Sequence, residues 1–170
     1  MFPDAPILWR DRPPRFAEAG DLLPVGPDVR GRDARLAAPA AEAWLRLRAA
    51  AAADDQVLVL ISAFRSIAEQ AEIIRRKRAR GLAWETILRV NAYPGFSEHH
   101  TGRAIDLGTP GSVDLSESFE NTPAFAWLQA RAGMFGFRLS YPRDNPAGIA
   151  YEPWHWMWHP ASGTAPESAG

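Results

Sequence analysis

Two short segments of this 170-residue chain hold all four of its histidines. The first segment places two adjacent histidines ahead of an aspartate, and the second segment contains the other two histidines. The residues concerned are His99, His100 and Asp106 in the first segment and His155 and His159 in the second. Imidazole and carboxylate groups are zinc ligands, and a catalytic zinc site uses three protein ligands and leaves one position to water. The two segments can therefore supply the ligand set of such a site.

The first segment has a geometry that suits metal binding. Residues 101–102 predict a turn, and residues 103–107 alternate like a short strand with Asp106 on one face and apolar side chains on the other. The turn lets His99 fold over the strand, so that its ring can meet the carboxylate at one metal ion. Because neighbouring side chains diverge in an extended chain, only one of His99 and His100 is expected to bind.

The second segment alternates tryptophans with histidines, which predicts a strand. Its tryptophans should pack against the core, and His155 should point to the opposite face. His159 shares that face, but four residues of strand place it about 13 Å away, too far to bind the same ion. Glu152 would point away from His155 in an ideal strand. Pro153 must therefore mark a bulge or bend if both side chains are to reach a metal.

Five residues of the first segment resemble, in order and spacing, the S-x-H-x-x-G-x-A-x-D signature of the zinc D-Ala-D-Ala carboxypeptidases of the VanY type. They are Ser97, His99, Gly102, Ala104 and Asp106. Residues 152–156, which read Glu-Pro-Trp-His-Trp, resemble the other signature of that family. The similarity also takes in residues 62–66, Gln70 and residues 135–142, and it covers roughly residues 38–158.

The resemblance implies a metal site and a catalytic base. The ligands of one zinc ion would be His99, Asp106 and His155. Glu152 would be the general base that takes a proton from water, and Arg65 would stabilise the oxyanion together with the metal. We expect His100, the histidine that the signature does not select, to line the cleft or to orient a neighbouring group.

The resemblance also implies contacts with the substrate. Ser97 is expected to hydrogen-bond the terminal carboxylate, and Gln70 to add a hydrogen bond to the same peptide. Tyr141, within the matching Ser-Tyr-Pro segment, is a further expected contact. The residues themselves leave alternatives open, namely a structural ion pair for Arg65 and a surface position for Gln70.

The fold that the resemblance implies is α+β, with a small antiparallel sheet flanked by helices, as in hedgehog and D-Ala-D-Ala peptidase domains. The element pattern is compatible with it. Local signals predict helices over residues 38–53, 66–80, 81–90 and 124–133, and strands over residues 57–61, 103–107, 135–141 and 154–158. The apolar run at residues 57–61 is expected to be a buried central strand, and Ser66 with Glu69 to form a capping box.

Length and composition favour one globular domain with a sizeable core, since 46% of the residues are hydrophobic and 23% are charged. Six prolines and three glycines among residues 1–35 predict an irregular N-terminal arm packed on the domain. Residues 36–160 are expected to form the zinc peptidase domain, and residues 161–170 a flexible C-terminal tail.

Charge and composition also limit the partners. The formal net charge of −1 gives no general attraction to nucleic acid or to an anionic membrane, so neither is expected as a partner, and a monomer is expected. The basic run at residues 75–80 is expected to be a solvated helix end, with a weak contact to an anionic wall polymer as an alternative. The absence of cysteine excludes disulfides, thiolate ligands and a cysteine nucleophile. No secretory signal or apolar membrane span is recognisable, which fits a cytoplasmic or phage-delivered protein that acts on cell-wall material.

The resemblance implies zinc-dependent hydrolysis of a peptide bond in peptidoglycan stem peptides or muropeptides, with release of a C-terminal D-Ala by D,D-carboxypeptidase activity. An L,D-carboxypeptidase or an endolysin-type peptidoglycan endopeptidase is the alternative. A non-catalytic, zinc-stabilised binding module is an alternative of another class. A His/His/Asp ligand set accepts several divalent ions, so the sequence leaves the native metal open.

Overall fold

The computed structural model describes residues 14–147 and 149–160, which form two antiparallel sheets and four α-helices joined by short 3-10 turns. The helices are α1 (Ala38–Ala53), α2 (Ile67–Ala79), α3 (Trp84–Arg89) and α4 (Pro123–Arg131). The strands are β1 (Leu22–Pro27), β2 (Asp33–Ala37), β3 (Val59–Ser62), β4 (Ala104–Gly108), β5 (Phe137–Leu139) and β6 (His155–Trp158). The 3-10 turns are Glu98–Thr101, Glu117–Asn121 and Ala132–Phe135. This is the expected α+β architecture.

The four-stranded sheet has the order β3-β4-β6-β5, with antiparallel neighbours. Its register pairs Asp106 on β4 with His155 on β6, so that the two side chains emerge side by side on one face. On the other face Ile105 and Leu107 are fully buried in the main core, where Trp156 of β6 also packs. The expected alternation along both strands is confirmed, and it separates the site from the core.

Strand β3 lies at the edge of this sheet, so the expectation of a central strand is wrong. Leu60 and Ile61 are nevertheless buried, whereas Val59 is half-buried and Val57, in the run predicted to be buried, is 57% exposed. The loop before β2 and β2 itself cover part of the free edge. The Val29 amide donates a hydrogen bond of 2.8 Å to the Leu60 carbonyl, and the Phe64 amide donates one of 3.0 Å to the Arg35 carbonyl. A buried apolar run therefore does not require strand partners on both sides.

The expectation of an irregular arm is wrong for residues 22–35, because β1 and β2 form an antiparallel hairpin. Prolines are tolerated in such an isolated pair, where one edge of each strand needs no donor. The pairing has an irregularity between Pro24 and Gly26, and Gly26 takes a positive φ of 95° there. Residues 1–13 and the expected tail at 161–170 lie outside the described residues.

Local helix signals hold well. Helix α1 has the predicted bounds, and Ser66 with Glu69 forms the predicted capping box at the start of α2. Strand β5 is shorter than expected because Gly136, at a φ of 84°, ends the preceding turn just before it. Among residues 14–147 and 149–160, no helix combines the length and the apolar character that crossing a membrane would require.

Candidate metal and substrate site

Three side chains from two strands and a 3-10 turn converge on one point. His99, on the turn that precedes β4, places its Nε2 atom 3.1 Å from Oδ2 of Asp106. His155 on β6 places its Nδ1 atom 2.9 Å from Oδ1 of the same carboxylate. The candidate ligand atoms of all three residues lie within 4.8 Å of one another, and each residue is less than 5% exposed. The structure therefore brings together the three residues that the resemblance implied as metal ligands, in a group that could hold a metal ion.

Both imidazole rings are held so that one nitrogen of each remains available to a metal. Nδ1 of His99 lies 2.7 Å from the Ala63 carbonyl oxygen, to which it can donate, and this leaves Nε2 as an acceptor atom. Nε2 of His155 lies 2.9 Å from Oε2 of Glu98, and this leaves Nδ1 facing Asp106. Carboxylate and carbonyl groups behind metal-bound histidines fix the tautomer and ring orientation in this way. Two histidines and one aspartate form the donor set of a catalytic zinc site, so the residues fit a divalent metal.

The pKa shifts in the cluster also favour a bound cation. Burial raises the pKa of the Asp106 carboxyl, but His99 and His155 overcome this effect and hold that pKa well below its usual range. Burial lowers the pKa of His155, yet Asp106 and Glu98 raise it above its ordinary value. Two buried carboxylates thus favour positive charge beside them. A divalent cation between the ligands would satisfy that preference in place of a proton.

Glu152 lies beside the cluster because the chain bends where the sequence required it to. Pro153 and Trp154 form a turn closed by a hydrogen bond of 3.1 Å from the His155 amide to the Glu152 carbonyl. The turn brings Oε2 of Glu152 to 4.0 Å from Nδ1 of His155. Burial raises the pKa of Glu152 to about 7, with His155 acting in the opposite direction. The predicted bend at Pro153 is confirmed, and it leaves a carboxylate next to the metal ligands.

Glu98 is a component of the site that was not identified from the sequence. Besides accepting from His155, its Oε2 atom accepts a hydrogen bond of 2.6 Å from Oγ of Ser140. Burial raises the pKa of Glu98, but the hydrogen bonds from His155 and Ser140 and the charges of the nearby histidines together lower it by a larger amount. The pKa therefore lies below its usual value, and the carboxylate stays ionised. A signal was present, since Glu98 stands immediately before a candidate ligand. Its partner His155, however, is 57 residues away, and no local pattern connects them.

Arg65 enters the site at the end of β3. Its Nη1 atom donates a hydrogen bond of 2.7 Å to Oε1 of Gln70, and burial lowers its pKa while Asp106 and Glu152 oppose that shift. Nε2 of Gln70 in turn donates to the Ala92 carbonyl at 2.6 Å. Gln70 is only 1% exposed, so it is not a surface glutamine. Its contacts brace the guanidinium, and its contact with substrate stays a prediction.

His100 does not line the cleft, because it is fully buried and both of its ring nitrogens are engaged. Nε2 accepts a hydrogen bond of 3.1 Å from the Gly95 amide, and Nδ1 lies 2.6 Å from the Arg65 carbonyl oxygen. His100 therefore orients the backbone of Arg65, which is one of the two roles expected for it. His159 is not part of the cluster of ligand atoms, in line with its position along β6.

A cavity of about 380 Å³ opens over the metal ligands and Glu152. Ser97 and Tyr141 both line it, and both are less than 8% exposed. The Tyr141 ring lies 4.9 Å from the His155 ring, centroid to centroid, and burial raises the pKa of its phenol, which stays protonated. The two residues are thus placed where a bound peptide could reach them, and their roles toward substrate stay predictions.

Comparison with known proteins connects this geometry to a family. The family model for VanY, D-alanyl-D-alanine carboxypeptidase, matches residues 33–161. The bifunctional D-Ala-D-Ala dipeptidase and D-Ala-D-Ala carboxypeptidase VanXYC of Enterococcus gallinarum is 31% identical over 132 residues, which cover 74% of this chain and 68% of the relative. Other curated relatives are longer, and the chain spans 43% of one from Bacillus subtilis and 42% of one from Enterococcus faecalis.

Solved structures show the same fold. The LdcB LD-carboxypeptidase superimposes with a TM-score of 0.73 at 29% identity, over 83% of this chain and 69% of that chain. A VanY D,D-pentapeptidase from a VanB-type resistance cassette, solved as an E175A mutant with Zn(II), gives a TM-score of 0.64 at 25% identity, over 82% of this chain and 79% of the other. The resemblance seen in the sequence is confirmed: the chain belongs to the VanY family of D-alanyl-D-alanine carboxypeptidases.

Proposed function

We propose that this protein is a zinc-dependent carboxypeptidase that releases a C-terminal D-Ala from peptidoglycan stem peptides or muropeptides. The observation that carries the proposal is the buried His99, Asp106 and His155 cluster with the Glu152 carboxylate beside it, at the floor of an open cavity. The zinc-bound VanY relative and the D-Ala-D-Ala activities named for VanXYC support the choice of metal and substrate.

The chain offers three atoms to the metal, namely Nε2 of His99, a carboxylate oxygen of Asp106 and Nδ1 of His155. The other ring nitrogen of each histidine is engaged, that of His99 by the Ala63 carbonyl and that of His155 by Glu98, which leaves the two ligand nitrogens able to bind a metal. When bound, zinc supplies a Lewis acid that polarises the scissile carbonyl and makes water more acidic. Glu98 keeps the His155 ring in the orientation that this arrangement needs.

The remaining steps belong to side chains of the cavity. Glu152 takes a proton from the attacking water at its carboxylate and delivers it to the departing amine. Its raised pKa suits both directions of transfer, because the group can hold a proton briefly near neutral pH. The Arg65 guanidinium donates hydrogen bonds to the oxygen on which negative charge develops. Ser97 and Tyr141 hold the peptide at its carboxylate end.

A second substrate is favoured by one comparison. LdcB, which is described as an LD-carboxypeptidase, has a TM-score of 0.73, above that of the VanY structure at 0.64. Release of D-Ala from a tetrapeptide stem is therefore the second candidate activity. Glu152 argues against a non-catalytic binding module, since a purely structural metal has no need of a carboxylate placed beside its ligands. We also propose that residues 36–160 form the catalytic unit of a monomer and that its site of action is cell-wall material.

The experiment is mass-spectrometric detection of D-Ala released from synthetic pentapeptide and tetrapeptide stems. We expect release by the zinc-loaded protein and none after chelation, and the substrate cleaved faster separates the two candidate activities. Glu152→Gln should abolish release while leaving zinc content and fold unchanged. Glu117→Gln is the matched control, because Glu117 is exposed and pairs only loosely with Arg143 at 3.5 Å. Full activity of Glu152→Gln would overturn the assignment of the base.

A further inference from the structure

A second cavity, of about 540 Å³, adjoins the one over the metal ligands. The two cavities share lining residues, among them Arg65, Lys77, Asn91 and Asp106. The two cavities therefore lie side by side, so a peptide that lies across the metal site has the second cavity next to it. A cavity of a few hundred Å³ is large enough to hold a small ligand or part of a peptide.

One wall of the second cavity is the loop between β1 and β2, and Asp28 fixes its shape. Oδ1 of Asp28 accepts hydrogen bonds from the amides of Arg30 at 2.8 Å and Arg32 at 3.0 Å. Oδ2 accepts one of 2.8 Å from Nε of Arg32. The Val29 amide ties the loop to β3 through the carbonyl of Leu60. Arg30 is thus presented to the cavity from a loop with a defined conformation.

The opposite wall is α2, and here the basic run at residues 75–80 divides into two groups. Arg76 and Lys77 line the second cavity, whereas the expectation for the whole run was a solvated helix end. Nζ of Lys77 donates a hydrogen bond of 3.0 Å to Oδ1 of Asn91, which is uncharged. Burial lowers the pKa of Lys77, and the nearby positive charge of Arg65 lowers it further. Positive charge is therefore crowded where the two cavities meet.

The carboxylates around the second cavity offset only part of this charge. Asp28 is engaged by Arg32, Glu69 by the capping box of α2, and Asp106 by the two metal-site histidines. The fourth, Asp33, is exposed. Within residues 14–147 and 149–160, the ion pair of Arg76 is an exposed one of 3.5 Å with Glu72, and such pairs contribute little. Arg32 is paired with Asp28, and Arg65 is opposed by Asp106 and Glu152, so the single remaining carboxylate, that of Asp33, is outnumbered by three cations. They are Arg30, Arg76 and Lys77.

We propose that the second cavity binds a carboxylate of the peptide substrate other than its C-terminal one, so that the enzyme selects acidic peptides. Guanidinium and ammonium groups in a partly enclosed cavity recognise carboxylates through charge-assisted hydrogen bonds. The shared lining makes the occupant continuous with the substrate at the metal, which favours one peptide over a separate polymer. This inference rests on the proposed function for the identity of the substrate.

The test uses two peptides that end in D-Ala-D-Ala and differ only in one upstream residue, which is glutamate in one and glutamine in the other. Moving that residue along the peptide finds the position that reaches the cavity. We expect the zinc-loaded protein to favour the glutamate peptide by about tenfold in KM, the value of one hydrogen-bonded charge pair. Arg30→Gln combined with Arg76→Gln should bring the ratio of the two KM values close to one, by raising the KM of the glutamate peptide. If the wild type and the double variant showed the same ratio of KM values for the two peptides, the proposal would be overturned.

A matched control lies on the same helix. Arg75 is adjacent to Arg76 and pairs with Glu72 at 3.4 Å, but it is not among the residues that line either cavity. Arg75→Gln removes the same charge and should keep the preference for glutamate. If Arg75→Gln reduced the preference as much as the double variant, a general field of the helix would replace the proposed site.

Failure of this inference can be told apart from failure of the proposed function. Calorimetric titration of zinc-loaded Glu152→Gln with both peptides measures binding without turnover. Tighter binding of the glutamate peptide, lost in the Arg30 and Arg76 variants, would support the cavity assignment even if no peptide were hydrolysed. Competition with poly(glycerol phosphate) tests whether the cavity binds an anionic polymer instead. If it bound through Arg30 and Arg76 while the peptides were not discriminated, the cavity would serve an anionic polymer and the proposal would be wrong.

Discussion

Replacement of Glu98 by glutamine tests the organisation of the metal site directly. Oε2 of Glu98 accepts from Nε2 of His155 at 2.9 Å and from Oγ of Ser140 at 2.6 Å. Glutamine keeps an oxygen that can accept both bonds but loses the negative charge. A hydrogen bond to a charged group contributes about 1.5–3 kcal/mol and a neutral one about 0.5–1.5 kcal/mol, so the loss is about 1 kcal/mol. We expect zinc to bind about fivefold to tenfold more weakly, near the lower end of the effect usual for groups behind a metal ligand.

The assay is zinc affinity measured by competition with a chromophoric chelator, at one pH and with circular dichroism as a check on the fold. Glu98→Ala should weaken binding further, and Ser140→Ala should weaken it less than either, because it removes one contact of the carboxylate and leaves its charge. Glu117→Gln, at an exposed glutamate, should change nothing. If Glu98→Gln bound zinc as tightly as the wild type with an unchanged fold, the bond to His155 would have no part in holding the metal.

Three further predictions concern the scaffold. Gly102→Ala should destabilise the protein by about 1–3 kcal/mol in thermal unfolding, because at the φ of 64° of this residue a Cβ would lie 2.8 Å from the Ala37 amide nitrogen. Gly111 has a similar positive φ of 85° but open space around it. Gly111→Ala in the same experiment therefore measures the cost of the backbone conformation without the clash. His100→Ala should cost about 2–4 kcal/mol in urea unfolding, since it leaves the Gly95 amide and the Arg65 carbonyl without their buried partner, and an unchanged midpoint would contradict this. Hydrogen bonds from Arg32 and Arg30 hold the pKa of Asp28 below its usual value despite burial, so its stabilising effect is present above the unfolded pKa and is lost as pH falls through the folded one. Asp28→Asn should therefore destabilise the fold by about 1 kcal/mol at neutral pH and by progressively less below about pH 4, and a difference that did not depend on pH would argue against the charge.

The residues of the metal site could be named from the sequence because they match two family signatures, and the directions of their side chains could be predicted because those depend on local pattern. His99 and Asp106 lie within one turn and one strand, and the alternation around His155 assigns that side chain to the site face of β6. The bend at Pro153 followed from a geometric conflict between Glu152 and the strand that follows it. Side-chain direction in strands and turns depends on a few neighbouring residues, and that is why these expectations held.

The remaining features depend on contacts between distant parts of the chain. The edge position of β3 is set by its partners, and residues 57–61 carry no sign of which strand lies beside them. The β1–β2 hairpin was hidden by prolines that an isolated pair of strands tolerates. Glu98 and Gln70 acquire their roles through His155 and Arg65, whose positions are known only once the sheet is assembled. The second cavity likewise exists only where the hairpin loop meets α2.

Both imidazoles of the adjacent pair are oriented by main-chain oxygens of one short stretch, those of Ala63 and Arg65. A carbonyl group is common to every amino acid, so substitutions of the side chains at positions 63 and 64 would leave the hydrogen-bond acceptors in place. Laboratory evolution can therefore vary the half-buried Phe64 without disturbing the metal ligand, whereas the buried Ala63 is constrained by core packing. A one-residue insertion or deletion in the same stretch would shift both acceptors at once. Tolerance of substitution at position 64 and intolerance of length change should thus coexist within three consecutive residues.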